Sequence, residues 1–129
     1  MNLQPIADKL QAENLGTKGK TIFIHAMPLE CKKGILLRSP LQGTDIDHEL
    51  PGYYKTEFGV IVRAPKHEEA NALAETIMTK LRGYNTVIGN MNVKYVRPHH
   101  LPVTFPVNDG NLVEVLVKYE IAYTVENGY

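Results

Sequence analysis

The chain has little of what marks several specialised classes of protein. It contains one cysteine, Cys31, and can therefore form neither an intrachain disulfide nor a thiolate metal cluster. Its 14 basic and 14 acidic residues cancel, which argues against a dedicated nucleic-acid binder, because such proteins neutralise phosphates. It has no apolar run near the roughly 18 residues of a membrane span and no signal-sequence pattern at its start. We expect one soluble domain over residues 1–129, synthesised in a reducing compartment.

Residue patterns for catalysis or metal binding are also missing. Ser39, the only serine, lacks the flanking glycines of a nucleophile elbow. A catalytic role for Cys31 would need a histidine partner, which the spacing does not identify. His99 and His100 are adjacent and would point in opposite directions on an extended segment, so they are a poor metal pair. The carboxylates at positions 45, 47 and 49 lack the glycine and distal glutamate of a calcium loop. No catalytic, cofactor-binding or metal-binding residue is predicted.

The clearest positive feature is an alternation near the end of the sequence. An apolar residue stands at every second position from 113 to 125, and Glu114, Lys118 and Glu120 lie between them. This period of two predicts a strand with one apolar face. Fourteen residues at about 3.3 Å each extend roughly 46 Å, beyond the roughly 36 Å diameter of a globule of this length. We therefore predict that the strand projects from its own core and offers an unpaired edge to another chain.

The rest of the sequence predicts an α+β fold. Helical spacing indicates a helix over residues 3–10, begun by Asn2 and closed by Gly16, and a second helix over 66–82, closed by Gly83. Strands are predicted at 21–27 and 33–38, paired as a hairpin, then at 54–64 and on both sides of a turn at 89–90. A long loop spans 39–52, prolines at 98, 102 and 106 indicate an edge strand or an extended arm, and 108–111 form a hairpin turn. We expect a mostly antiparallel sheet, a long C-terminal strand, and two helices packed on one face.

This order of elements resembles the tail terminator, or tail completion (minor capsid), proteins of long-tailed bacteriophages. The resemblance rests on IFIHAMP at 22–28, on FGVIVRAP at 58–65 leading into the helix, and on Pro106 and DG at 109–110 before the final alternating strand. It covers nearly the whole chain. It implies a non-enzymatic virion protein that forms a six-membered ring, caps the completed tail tube and meets the head connector, with no cofactor.

Two groups of residues are candidates for contacts in such a ring. Asp45, Asp47, His48 and Glu49 form the only acidic cluster, and we hypothesise that this loop faces the lumen, where its carboxylates repel passing DNA that is not bound specifically. Tyr53, Arg97, His99 and His100 are candidate contacts with a neighbouring copy, the tail tube protein or the head connector (stopper) protein. The last three begin the proline-spaced arm at 97–107.

Other functions remain open on the sequence alone. Another head-tail connector component or a tail tube subunit would share the logic of assembly but occupy a different ring. A small cytoplasmic enzyme or ligand-binding domain that uses Cys31 or the two histidines belongs to a different class. A tube subunit should polymerise into filaments, a terminator should stop at a closed ring, and metal analysis would test the enzyme.

Overall fold

A computed structural model describes residues 1–40, 42–105 and 111–126. This part of the chain forms two helices and seven strands: α1 Gln4–Ala12, β1 Ile22–Ile24, β2 Gly34–Arg38, β3 Tyr53–Ala64, α2 His67–Lys80, β4 Gly83–Ile88, β5 Met91–Pro98, β6 Val103–Thr104 and β7 Val113–Thr124. The predicted α+β class with a mostly antiparallel sheet is confirmed. The predicted turn at 108–111 lies, except for Asn111, outside the described residues, as do Pro106 and Val107. Neither helix in the described part has the length and apolarity needed to cross a membrane.

The strands form one sheet in the order β1-β2-β3-β7-β5-β4, and β6 also pairs with β7. The predicted hairpin of the first two strands is wrong, because β1 runs parallel to β2, with Ile22 opposite Ile35 and Ile24 opposite Leu37. The chain reverses twice between them. His25, at φ +71°, donates its amide to the Leu37 carbonyl and turns the chain away from the sheet. Residues 25–33 then lead back to the start of β2.

The final strand does not project from the core, contrary to the prediction. All twelve residues of β7 pair with β3, from Val113 opposite Ala64 to Thr124 opposite Tyr53. On its other side β7 pairs with β5 and with the short β6. The prediction failed because β3 is equally long and because the chain supplies strands for both edges. Sister copies are therefore not needed to complete this strand.

The apolar face of β7 is covered by the two helices. Val115, Val117, Tyr119 and Ile121 are fully buried in one core, and the other members of that core come from both helices and the neighbouring strands. The Tyr119 ring stacks on Phe58 with centroids 5.2 Å apart, and its hydroxyl donates to the Ile77 carbonyl of α2 at 3.2 Å. Burial raises the pKa of Tyr119 well above its ordinary value. We call this the helix face of the sheet and the opposite side its outer face.

The helix ends differ from the prediction in detail. The Asn2 carboxamide accepts the Gln4 amide at 3.0 Å, as expected of a residue that begins a helix. However, α1 ends near Asn14, whose φ is +61°, rather than at Gly16. Gly83 does not close α2 but begins β4. The predicted turn between β4 and β5 is present, with Gly89 at φ +59°.

Candidate assembly surfaces

The acidic loop, which we define as residues 45–50, lies in the long connection between β2 and β3. Its base is fixed, because the N-terminal amine donates to the Thr44 hydroxyl at 3.2 Å, and that hydroxyl lies 3.3 Å from the hydroxyl of Thr56 in β3. Asp47 accepts the Glu49 amide at 2.9 Å and so sets a local turn. The side chains of the predicted residues are exposed. They are Asp45, Asp47, His48 and Glu49.

The acidic loop is apolar as well as acidic. Ile46 and Leu50 are each about half exposed, and the sequence has no lysine or arginine between Arg38 and Lys55. Within the described residues, no ion pair includes a carboxylate of this loop. A loop of this composition presents unpaired negative charge beside apolar side chains.

Three of the predicted contact residues are brought together on the outer face. Arg97 of β5 lies in register with Glu120 of β7 and forms an ion pair with it. His99 Nδ1 lies 3.5 Å from a Glu120 oxygen, and the His99 and His100 rings are in an edge-to-face arrangement with centroids 6.3 Å apart. The hydrogen bond from Arg97 lowers the pKa of the Glu120 carboxyl, and His99 adds to this effect. The guanidinium also lies 4.2 Å from the centre of the Tyr95 ring.

Tyr53 does not join this cluster. It is the first residue of β3, opposite Thr124, and its amide donates to the Leu50 carbonyl at 3.0 Å. It is half-buried at the base of the acidic loop. The predicted contact residues thus divide between two places on the molecule.

The sequence analysis missed the exposed edge of the sheet at β4. Tyr84 is 64% exposed and Val87 is 68% exposed, although both are residue types common in half-buried strands. Beside them an open depression of about 320 Å³ lies between β4 and β5, lined in part by Val87, Asn92 and Lys94. The only available signal was the short apolar spacing of this segment, which predicts a strand but not which strand lies at the edge.

A second missed feature is the burial of Arg63, which the alternation places on the polar side of β3. Its side chain is only 9% exposed. Arg63 Nε donates to Glu114 of β7 at 3.1 Å, and Nη1 donates to the carbonyls of Pro28 and Cys31 at 2.9 and 3.1 Å. One guanidinium therefore fastens the connection between β1 and β2 onto the outer face.

The largest opening described is a groove of about 420 Å³ on the outer face. Ile61 and Leu116 contribute to its apolar lining, with Phe105 from the arm. Glu57 and Lys118, whose charged atoms are 3.7 Å apart, also line it. Among the described residues no cluster of three or more histidine, cysteine or acidic side chains is arranged to hold a metal ion. The surfaces present are suited to contacts with other proteins.

Comparison with known proteins identifies the family. The sequence model of the bacteriophage tail terminator protein matches residues 9–125. The chain belongs to this family. The resemblance predicted from the sequence is thereby confirmed. A search of curated proteins finds no match.

The solved structures support the fold of this tail terminator family member. One similar chain belongs to a structure described as the virion of a native gene transfer agent particle, with a TM-score of 0.61. The two are 13% identical, and the alignment covers 82% of this chain and 80% of the other. The protein is accordingly a structural component of the virion tail, and membership of a structural family argues against an enzyme.

Proposed function

We propose that the protein assembles into a closed ring, six copies in our expectation, that terminates the tail tube and joins it to the head connector. The observation that carries the proposal is the family match across residues 9–125. The exposed surfaces are compatible with it, because a ring needs two different patches on each copy, one for each neighbour. The acidic loop and the exposed β4 edge are two such patches, of unlike chemistry.

The interfaces of this ring differ from those inferred from the sequence alone. Because β7 is paired on both sides, the contact between copies must use other parts of the molecule. The exposed apolar side chains provide them, since apolar surface beside polar residues is typical of protein interfaces. Those on the sheet edge and the loops are Leu29, Ile46, Leu50, Tyr84, Val87, Leu101 and Val103.

The main rival is a tail tube subunit, and assembly behaviour separates the two. We expect the purified protein to give one species at a small integer multiple of the 14.5 kDa chain mass, and negative-stain images to show closed rings. Added to growing tail tubes, it should stop their lengthening and appear as one ring at the tube end. The tube subunit, added in the same assay as a control, should lengthen them. Filaments, or a monomer at high concentration that leaves the tubes uncapped, would refute the proposal.

A further inference from the structure

The acidic loop and the β4 edge lie on different sides of the sheet. The loop belongs to the connection that enters β3, whereas β4 is the last strand beyond β7 and β5. Three strand spacings, about 14 Å in total, separate β3 from β4. Any contact between these two surfaces therefore joins two copies of the chain. Because the surfaces differ, the contact is heterologous and can repeat around a ring.

The surface on β4 and β5 has the chemistry to receive an acidic, apolar segment. We define the β4–β5 surface by Tyr84, Val87, Asn92 and Lys94. Lys94 is the charged residue among those that line the depression beside Val87. It is exposed, and no ion pair of the described residues includes it. The sequence has no acidic residue from position 76 to 108.

The acidic loop has the complementary features. Its three carboxylates have no positive partner within the described chain, and Ile46 and Leu50 stand among them. A loop that only faced a water-filled lumen would gain nothing from two half-exposed aliphatic side chains. An interface gains from both, because apolar burial stabilises it while opposite charges set its register.

We propose that the acidic loop of each copy docks on the β4–β5 surface of the next copy. An aliphatic side chain of the loop enters the depression beside Val87, and a loop carboxylate pairs with Lys94. This inference rests on the proposed ring and names the surfaces that close it. It replaces the lumen as the place of the acidic loop, an assignment that stays a prediction from the sequence.

Charge reversal tests the pairing directly. Lys94→Glu alters one surface, and the double change Asp45→Lys with Glu49→Lys alters the other while keeping the turn made by Asp47. We expect each altered protein to need at least tenfold more protein to form rings, as measured by light scattering after size exclusion. Combining all three changes should restore most of the ring, because the charges are again opposite. Lys66→Glu, the same charge change at an exposed lysine before α2, should leave the ring intact and serves as the control.

The outcomes separate this inference from the proposed function. If the unaltered protein forms rings and Lys94→Glu forms them equally well, or if the combined protein is not restored, the docking is refuted and the ring stands. If the loop reversal leaves rings intact but alters DNA delivery, the loop faces the lumen instead. If the unaltered protein forms no ring at all, the proposed function itself fails. Carbodiimide cross-linking of mixed light and heavy chains gives a second readout, in which we expect amide links from Lys94 to the loop carboxylates of another copy.

Discussion

Replacing Arg63 should destabilise the protein far more than replacing Arg97. Both arginines lie on the outer face in strands beside β7, and each pairs with the glutamate opposite it in register. They differ in burial, since the side chain of Arg63 is 9% exposed and that of Arg97 is 43% exposed. The comparison therefore isolates the effect of burial on one type of cross-strand ion pair.

The magnitude for Arg63→Met follows from the bonds it removes. Methionine keeps much of the apolar stem but leaves Glu114 and the carbonyls of Pro28 and Cys31 without their donor. Breaking a buried ion pair costs about 3–5 kcal/mol, and an unsatisfied buried polar group costs about 1–3 kcal/mol. Glu114 remains about one-quarter exposed and the released loop can meet water, so we expect a net loss of about 2–4 kcal/mol.

Urea unfolding at neutral pH measures this loss. With a slope of about 2 kcal/mol per molar urea, a loss of about 3 kcal/mol lowers the midpoint by about 1.5 M. The matched change Arg97→Met should move the midpoint only slightly, because exposed ion pairs contribute little. Equal shifts for the two proteins would refute the reasoning, and so would an Arg63→Met protein as stable as the parent.

Three further changes test other features of the fold. Gly89→Ala should destabilise clearly more than Gly19→Ala in thermal unfolding: both glycines have positive φ, but only at Gly89 would a Cβ meet the first turn of α1, at 2.8 Å, so equal losses would contradict that packing. Tyr119→Phe should cost about 0.5–1.5 kcal/mol, because it removes one buried hydrogen bond to the Ile77 carbonyl; a loss above about 3 kcal/mol in urea unfolding would disprove this account. The lowered pKa of Glu120 means that its stabilising contribution is present near neutral pH and is lost as pH falls through that lowered value; the decline of stability below about pH 4 should therefore be shallower for Glu120→Gln, and parallel curves would count against it.

The sequence predicted individual elements well and their neighbours less well. Alternation placed β3 and β7 almost to the residue, and helical spacing placed α2, because those patterns reflect the burial of one face. Pairing is a different matter, since it depends on where loops return. The parallel arrangement of β1 and β2 follows from the turn at His25 and from the hold of Arg63 on the following segment, and neither has a local signature.

The candidate site shows the same division. The exposure of Asp45, Asp47 and Glu49 could be expected from a polar loop without periodicity, and the nearness of Arg97, His99 and His100 follows from their spacing on one arm. The β4–β5 surface could not be foreseen, because the exposure of Tyr84 and Val87 depends on β4 being the edge of the sheet. Arg63 was misplaced for a similar reason, since the segment that buries it lies some 30 residues earlier in the chain.

The central place of β7 has a consequence for how the molecule matures. It joins two partial sheets, β1-β2-β3 and β4-β5, whose own strands are near one another in sequence, whereas Arg63 and Glu114 are 51 positions apart. Pairing over such separations is slow, so we expect the insertion of β7 to limit the folding rate. Until then the inner borders of β3 and β5 are open to strands of other newly made chains. Correct assembly therefore depends on each copy finishing this step before it meets its neighbours at high concentration.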